Sequence, residues 1–336
     1  MIAPHARRVT VDRFGPPEML HVESFALGEP GRRRVRVRVT HASVGSTDAM
    51  ARSGDYLFQP RPGFVPGYDF VGVVETTNAA AARRGLSIGM RVIGCLARMG
   101  SYTTHLNACI DRLVPLPDEL DSTVAAALPL DLVTADLALE LAEPPHGGTL
   151  FVQGVSGPVG SLLTQLAVAK GLRVFGTASE RTRASAESLG AHVVNYRDPN
   201  WPIMIRQLTA GGAHAGVDHT GTALVRAATR RTGTVVRTAW SGRPGHGRVD
   251  AARGGPATLA RRFTSPSERL CSVPLLVALQ PQRYRQILHD QLHRIAGGQL
   301  RAPTVTTAPF DEVIDAHRQL ADLPPGHKLV LEMPPG

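Results

Sequence analysis

Three glycines recur at intervals of three residues in the run Gly154-Val155-Ser156-Gly157-Pro158-Val159-Gly160. The run follows an apolar strand pattern and opens a segment whose apolar residues have helical spacing. Glycines let a backbone turn tightly and approach phosphate oxygens, and a helix N-terminus offers unpaired N–H groups. The run therefore predicts a site for the pyrophosphate of a dinucleotide. The candidate contacts are Gly154, Ser156, Gly157, Pro158, Val159 and Gly160. The spacing departs from Gly-x-Gly-x-x-Gly, so a structural turn without a ligand remains the alternative.

The next strand pattern, residues 173–178, ends without an acidic side chain. A carboxylate there would hydrogen-bond the ribose 2′-hydroxyl of NAD and repel the 2′-phosphate of NADP. Instead, Ser179, Arg181 and Arg183 offer a hydroxyl and two guanidinium groups, which suit a phosphate. Glu180 opposes this interpretation, and solvated arginines at a helix start are the alternative. The pattern favours NADP as the cofactor.

The elements that must position these residues fall into two patterns. Residues 1–121 consist of short strand patterns separated by Pro- and Gly-rich turns, whereas strands and helices alternate from residue 122 onward. The alternation predicts a doubly wound parallel sheet. The window from Trp240 to Arg262 is rich in Gly, Pro and Arg, has no clear period, and is predicted as a loop. We predict an α/β protein with segments 1–121, 122–265 and 266–336, of which the last rejoins the first.

A series of short motifs, in order along nearly the whole chain, carries a resemblance to a known family. The motifs are Arg13-Phe14-Gly15-Pro16-Pro17-Glu18, Val44-Gly45-Ser46-Thr47-Asp48, Arg52-Ser53-Gly54-Asp55-Tyr56, Pro66-Gly67-Tyr68-Asp69-Phe70-Val71-Gly72, Gly89-Met90-Arg91-Val92, Leu128-Pro129-Leu130-Asp131, the glycine run, Leu189-Gly190-Ala191 and His327-Lys328-Leu329-Val330-Leu331. Together they resemble the medium-chain dehydrogenase/reductase superfamily, in its zinc-independent quinone oxidoreductase branch. The resemblance implies a GroES-like, mostly β substrate domain, built from both chain ends around a Rossmann domain.

The same resemblance implies roles for individual residues. It places Ser179, Arg183 and Tyr196 around the 2′-phosphate. It also places Thr134 beside the nicotinamide and Thr220 after the fourth strand of the Rossmann domain, although a helical threonine also often bonds its own backbone. Hydride transfer needs a hydrogen-bond donor to the developing oxyanion, and Tyr56 is the candidate catalytic residue. Packing at a loop hinge is the alternative role for this tyrosine.

Two departures from the family limit the chemistry. Zinc-dependent relatives carry a cysteine near Gly45 and a Gly-His-Glu triplet where this chain has Gly67-Tyr68-Asp69, so no metal site is predicted. Zinc-independent relatives usually carry asparagine at the position of Gly45, and any contact made by that side chain is absent here.

The composition and charge of the chain limit the classes of binding partner that we expect. The formal net charge is +9, and 35 of the 37 basic residues are arginines spread along the chain. The arginines from Arg32 to Arg38 alternate with valines, as on the solvent face of a strand. We therefore expect no nucleic-acid partner, and no apolar run is long enough for a membrane span. Three cysteines without a Cys-x-x-Cys pair indicate no disulfide framework. The N-terminal residues show no apolar signal core, so a cytoplasmic protein is expected.

The predicted function is NADPH-dependent, zinc-independent reduction of a conjugated carbonyl: an enone, an enoyl thioester or a quinone. The small-molecule acceptor itself is not predicted. An atypical tailoring step such as a cyclisation, and NADPH binding without catalysis, remain alternatives because Gly45 replaces asparagine. A homodimer is expected, with Thr234–Val236 or the apolar segment Val273–Leu279 as candidates for the edge strand that joins the two copies. A core strand or a helix is the alternative for Val273–Leu279.

Overall fold

A computed structural model describes residues 5–324 and 326–335. The chain divides into two compact units. Unit 1 comprises Met1–Val133 and Val273–Gly336, and unit 2 comprises Thr134–Ser272. The sequence prediction set these boundaries after residues 121 and 265, and the structure has them after residues 133 and 272. The first four residues of the N-terminal segment lie outside the described part.

The structure has mostly strands before residue 122 and alternating strands and helices after it, as the sequence predicts. The strands are β1 (His5–Val11), β2 (Leu20–Ala26), β3 (Arg34–Val44), β4 (Asp69–Val74), β5 (Arg91–Cys95), β6 (His105–Cys109), β7 (Leu113–Pro115), β8 (Thr149–Val152), β9 (Arg173–Ala178), β10 (Ala191–Asn195), β11 (Ala213–Asp218), β12 (Thr229–Arg237), β13 (Ser267–Leu270), β14 (Thr304–Pro309) and β15 (His327–Glu332). The helices are α1 (Ser46–Ser53), α2 (Ala79–Ala82), α3 (Ser122–Ala126), α4 (Pro129–Ala142), α5 (Pro158–Ala169), α6 (Glu180–Glu187), α7 (Trp201–Leu208), α8 (Leu224–Ala228), α9 (Gly247–Ala260), α10 (Val273–Leu279), α11 (Pro281–Ala296) and α12 (Val313–Gln319).

Unit 1 is built on a mostly antiparallel seven-stranded sheet. Its strand order is β14-β15-β3-β4-β5-β7, with β6 paired to β3, and β1 and β2 form a separate hairpin. The C-terminal strand β15 pairs antiparallel with β3, with Leu331 opposite Ala42. The last segment of the chain therefore completes a sheet that the first segment begins. Val35, Val37 and Val39 of β3 are buried in the core of this unit.

Unit 2 contains a six-stranded parallel sheet in the order β10-β9-β8-β11-β12-β13. Counted along the chain, this order is 3-2-1-4-5-6, which is the Rossmann arrangement. All four residues of β8 are buried, as expected for a central strand covered on both faces. Ligands of such sheets bind at the carboxyl ends of the strands, where the strand order reverses between β8 and β11. The predicted α/β fold class is confirmed.

The structure corrects the prediction of a loop from Trp240 to Arg262. Residues Gly247–Ala260 form the helix α9, which has Pro256 inside it. The indole of Trp240 lies against this helix, because a Cβ on Gly254 would come within 1.9 Å of the indole nitrogen. Gly254 lowers the helix propensity of this segment, but it permits the close contact with the Trp240 ring. The hydrophobic pattern of residues 247–260 does not show this contact.

Further predictions need correction. Thr234–Val236 lie in β12, which pairs with β11 on one side and β13 on the other, so they are not at a sheet edge. Val273–Leu279 form the helix α10, which was the alternative to a strand for this segment, so they do not supply an edge strand. In β3, Arg36 is buried at 8% exposure and donates to the carbonyl of Gly28, so it does not share the solvent face predicted for this arginine series. No helix in the described segments has the length and hydropathy of a membrane span.

Candidate dinucleotide and acceptor sites

The glycine loop of unit 2 is fixed to the neighbouring strand β9. The N–H of Gly154 donates to the hydroxyl of Thr177 at 3.1 Å, and the N–H of Val155 donates to the carbonyl of Thr177 at 3.0 Å. Gly154 has a φ of +70°, a conformation that side chains other than glycine rarely adopt. The N–H of Gly157 closes a turn onto the carbonyl of Gly154 at 3.0 Å. The loop is therefore held in one shape before any ligand binds.

This loop presents unpaired donors at the N-terminus of a helix. Helix α5 begins at Pro158, which has no N–H to lose there. The N–H groups of Ser156, Val159 and Gly160 meet no acceptor within the described part of the chain. A Cβ on Gly160 would lie 2.3 Å from the carbonyl oxygen of Gly154, so the backbone is as closely folded as a phosphate cradle requires. The predicted residues 154–160 thus come together in an arrangement that fits a pyrophosphate.

The predicted 2′-phosphate residues lie together at the start of α6, but Arg183 is already engaged. Its guanidinium donates to Glu180 at 3.0 Å and to the carbonyl of Val193 at 2.6 Å, and it lies 3.4 Å from Glu187. The hydrogen bond to Glu180 raises the pKa of Arg183, so the cation is stabilised where it is. Two carboxylates thus compete for the guanidinium that the sequence prediction assigns to a phosphate.

The other residues of this region are more open. Ser179 precedes α6, and its hydroxyl lies 3.1 Å from that of Thr182, which in turn lies 3.0 Å from the Ser156 hydroxyl. Tyr196 is 48% exposed, with the guanidinium of Arg197 over its ring. The side chain of Arg181 forms no ion pair or hydrogen bond in the described segments. Hydroxyls, an open phenol and an available cation therefore surround the end of β9.

A buried ion network shapes the loop after β11, and sequence reasoning did not find its members Arg237 and Glu268. The Asp218 carboxylate accepts from the N–H and hydroxyl of Thr220, at 2.8 and 2.7 Å, and from the N–H of Gly221 at 3.0 Å. Arg237 pairs with both Asp218 and Glu268, and all three side chains are almost fully buried. These ionic contacts join three neighbouring strands, β11, β12 and β13. In the sequence, the sign of this ion pair is an Asp at the end of one strand pattern, Asp218, and an Arg at the end of the next, Arg237.

Two further residues of unit 2 border this region. The ring of His219 is close enough to Gly154 that a Cβ there would lie 3.0 Å from it. Thr134, predicted to lie beside the nicotinamide, is half-buried on α4, and its carbonyl lies 3.9 Å from the Cys271 thiol.

In unit 1, Tyr56 meets a second phenol. Its hydroxyl oxygen lies 3.1 Å from that of Tyr68, and the two rings are nearly perpendicular. Burial raises the pKa of both tyrosines, so both hydroxyls keep their protons at neutral pH. Tyr68 also lines a cavity of about 1110 Å³. The cavity wall thus carries one protonated phenol, that of Tyr68, and the Tyr56 hydroxyl is in contact with it.

Close to these tyrosines lies a cluster of buried charged residues. Asp48 accepts from the N–H groups of Gly45 and Gly67 at 2.8 and 3.0 Å, and Asp69 accepts from that of Leu130 at 3.0 Å. Lys328 pairs with Asp131 at 2.7 Å. Burial raises the pKa of Asp48 to about 6 and that of Asp69 to about 7.

This cluster occupies the region that the resemblance associates with zinc. A Cβ on Gly45 would lie 3.8 Å from the ammonium of Lys328, so a cation of the chain itself is next to that position. Glycine and tyrosine are not zinc ligands, and the two positions therefore do not fit the metal. Within residues 5–324 and 326–335, no three His, Cys, Asp or Glu side chains are grouped as metal ligands would be.

Comparisons with known proteins agree with this architecture. The family model described as "Alcohol dehydrogenase GroES-like domain" matches residues 31–118, and the one described as "Zinc-binding dehydrogenase" matches residues 158–255. The quinone oxidoreductase of Mus musculus is 32% identical over 216 residues, 63% of this chain and 64% of that protein. A phenolphthiocerol/phthiocerol polyketide synthase of Mycobacterium tuberculosis is 29% identical over 337 residues, 98% of this chain and 15% of the synthase polypeptide. Each match thus spans less than two thirds of the length of the relative.

A solved structure shows the same fold over the full length. The JamJ enoyl reductase superposes with a TM-score of 0.84 at 21% identity, covering 98% of this chain and 100% of that chain. The two matched domains and the sheet order define a dehydrogenase/reductase of the medium-chain type. The chain belongs to this superfamily, in its quinone oxidoreductase-like branch. The superfamily consists of oxidoreductases that use a nicotinamide dinucleotide.

Proposed function

We propose that this protein is an NADPH-dependent, zinc-independent reductase of a conjugated carbonyl compound. The observation that carries the proposal is the Tyr56–Tyr68 hydroxyl pair, of which Tyr68 lines the unit 1 cavity, in a chain whose unit 2 has an intact glycine loop. The first supplies a proton donor for an acceptor, and the second supplies a pyrophosphate site. A reductase needs both.

Bound NADPH would supply a hydride to the electrophilic carbon of the acceptor. The residues of unit 2 bind and orient: Ser156, Val159 and Gly160 offer backbone N–H groups to the pyrophosphate. In unit 1, the Tyr56 hydroxyl donates a hydrogen bond to the carbonyl oxygen, on which negative charge develops. One hydride and one proton, the latter from Tyr56 or from water, complete a two-electron reduction of the conjugated double bond. Tyr68 donates to the Tyr56 oxygen and stabilises it when its proton is shared.

The choice of NADPH rests on the end of β9, where Ser179, Arg181 and Tyr196 provide polar and cationic groups and the strand itself ends without a carboxylate. Glu180 opposes it by holding Arg183. We propose that the guanidinium of Arg183 exchanges Glu180 for the 2′-phosphate, because a phosphate dianion is the more highly charged partner. Several relatives support a role in natural-product biosynthesis, among them the polyketide synthase and enoyl reductases.

The test uses the purified full chain with NADPH and a panel of enones, enoyl thioesters and quinones. NADPH oxidation is followed by absorbance, and NADPH binding is measured separately by fluorescence titration. Turnover with at least one acceptor class, abolished or strongly reduced in Tyr56→Phe, supports the proposal. Saturable NADPH binding without turnover on any acceptor would favour the non-catalytic alternative. Product analysis by mass spectrometry distinguishes reduction from cyclisation, because only reduction adds two hydrogens.

We also propose that the chain forms a homodimer. In the described part of unit 2, β13 pairs on one side only and thus leaves backbone donors and acceptors free at the sheet edge. Light scattering on the purified chain tests this, and a monomer mass at micromolar concentration would contradict it.

A further inference from the structure

The cavity of unit 1 has an apolar lining on several sides. At about 1110 Å³ it exceeds the roughly 300–1,000 Å³ that is usual for pockets of drug-sized ligands. It is bordered by Tyr68 and by apolar side chains from separate segments of the chain: Phe25, Leu57, Phe64, Met99 and Leu275. A long apolar acceptor, such as an acyl chain, matches this lining better than a small quinone does.

Four arginines also line the cavity, and three of them lack a carboxylate partner among the described residues. Arg8 pairs with Glu23 at 2.7 Å, which neutralises it. Arg34 donates at 2.6 Å to the carbonyl of Asn107, a neutral acceptor, and its charge stays uncompensated. The side chains of Arg61 and Arg98 have no hydrogen bond or ion pair in the part of the chain that the structure describes.

The same lining contains no Asp or Glu among its described residues. Two carboxylates from outside the lining approach it. Glu23 is paired with Arg8, and Glu75 lies 3.6 Å from the ring of His105. Three guanidinium groups beside an apolar surface raise the local potential and attract an anion of high charge. Arginine is the residue best suited to phosphate, because its planar fork donates two parallel hydrogen bonds.

We infer that the acceptor carries a phosphate-bearing arm and that Arg34, Arg61 and Arg98 bind it. The inference rests on the proposed function and selects one acceptor class within it: an α,β-unsaturated acyl group linked as a thioester to a phosphorylated arm. The acyl part occupies the apolar lining toward Tyr68, and the phosphate meets the guanidinium groups. Arg98 belongs to the segment that folds onto this end of the cavity, since the N–H of Gly100 donates to the carbonyl of Gly67 at 2.8 Å.

Such an arm has two sources, coenzyme A itself and the phosphopantetheine group of a carrier protein. The experiment therefore compares one unsaturated acyl group on three carriers: N-acetylcysteamine, which has no phosphate, coenzyme A, and a phosphopantetheinylated carrier protein. The kcat/KM for each thioester is measured with NADPH in excess. We expect both phosphate-bearing thioesters to exceed the cysteamine thioester by at least ~10-fold, with a strong dependence on ionic strength. The better of the two identifies the source.

The arginines are tested with the double variant Arg61→Gln/Arg98→Gln. Because both side chains are exposed and make no described contact, glutamine is not expected to disturb the fold, which circular dichroism verifies. The ratio of kcat/KM between the phosphate-bearing and the cysteamine thioester should fall by about 10-fold or more. The charge-matched control Arg32→Gln/Arg231→Gln replaces two exposed arginines outside the cavity and should leave this ratio unchanged.

The possible outcomes separate this inference from the proposed function. A ratio near one in the wild type, or a ratio that the cavity variant and the control change equally, would overturn the inference while leaving a reductase of neutral acceptors intact. If no acceptor of any class is reduced, the proposed function fails. In that case the binding of coenzyme A by calorimetry still tests the subsite. Equal affinity in wild type and cavity variant refutes it, and weaker binding in the variant supports it.

Discussion

The hydroxyl oxygens of Tyr56 and Tyr68 lie 3.1 Å apart, and among the described residues neither hydroxyl has a charged hydrogen-bond partner. Tyr68 stands where the resemblance places a histidine in zinc-dependent relatives, so a phenol of this chain replaces a metal ligand beside the proposed proton donor. A hydrogen bond from Tyr68 lowers the pKa of Tyr56, although burial raises it overall. We therefore expect Tyr68 to act as a positioning residue that favours proton donation by Tyr56.

The first prediction follows from this pair. Tyr56→Phe should lower kcat by roughly 10²-fold, the contribution of a single positioned acid, with a smaller change in KM. Tyr68→Phe should lower kcat by a smaller factor, about 3- to 10-fold, because Tyr56 remains but its oxygen loses a donor. Steady-state kinetics on the best acceptor measures both. Phe58→Leu, another substitution near the Tyr56 ring, is the control for packing. Equal kcat in Tyr68→Phe and wild type would contradict the positioning role.

The pH dependence of these reactions gives a second prediction. Burial raises the pKa of Tyr56 above that of an ordinary tyrosine, so the proton is retained as pH rises through the neutral range and beyond. The wild-type kcat should therefore show no alkaline loss below the ordinary tyrosine pKa of about 10. A fall of kcat with an apparent pKa near neutrality that disappears in Tyr56→Phe would contradict this assignment.

The third prediction concerns cofactor preference. Arg183→Ala should reduce the affinity for NADPH relative to NADH by about 10-fold, because a charge-assisted contact to the 2′-phosphate is lost. Glu180→Gln should act in the opposite direction, since it removes both a competitor for Arg183 and a negative charge near the phosphate. Glu119→Gln, which replaces an exposed carboxylate of unit 1, is the control and should leave the preference unchanged. Fluorescence titration with both dinucleotides measures the ratio, and an unchanged ratio in Arg183→Ala would show that NADPH was assigned wrongly.

Much of unit 2 could be predicted because its signals are local. The glycine run, the strand before it and the helix after it lie within residues 149–169, and alternation of strands and helices restricts the sheet to parallel arrangements. The hydrogen bonds of Arg183 were harder to predict from the sequence. One acceptor, the carbonyl of Val193, belongs to the next strand, and the other, Glu180, lies one helical turn earlier and competes with a phosphate for the guanidinium.

Contacts across long sequence separations explain most of what sequence patterns did not show. Lys328 and Asp131 meet only because β15 returns to the sheet that begins with β3, and no periodicity relates them. The helix α9 escaped prediction because Gly254, a poor helix former, is needed where Trp240 packs. The Tyr56–Tyr68 contact depends on how the segment between α1 and β4 folds, and propensities do not determine the path of such a segment.

A fourth prediction tests the glycine loop. Gly160→Ala places a Cβ 2.3 Å from the carbonyl oxygen of Gly154, a contact that backbone atoms must move to relieve. The loop should then lose the geometry that directs its N–H groups, and NADPH binding should weaken by at least ~10-fold. Gly255→Ala is the control, because no atom lies within 4 Å of a Cβ there and alanine favours the helix α9. Wild-type NADPH affinity in Gly160→Ala would refute a phosphate role for the loop.

The last prediction concerns stability and Asp69. Its pKa is about 7 in the folded protein, against an ordinary value of 3.8, because it is fully buried. Between these two values the folded state holds a proton that the unfolded state has lost. Raising the pH therefore removes stability across this window, and the loss ends above the folded-state pKa. Asp69→Asn mimics the protonated acid, and its amide oxygen can still accept from the N–H of Leu130.

Relative to Asp69→Asn, the wild type should therefore lose on the order of 3 kcal/mol of unfolding free energy between about pH 4 and about pH 8. Urea denaturation of both proteins at several pH values measures the difference between their free energies of unfolding. The contributions of the other titrating groups cancel in this difference, because both proteins contain them. Asp322→Asn, which replaces an exposed carboxylate of the same unit, should show no comparable change with pH. A wild type that gains stability over Asp69→Asn as the pH rises would mean that Asp69 is charged in the folded protein, held so by Lys328.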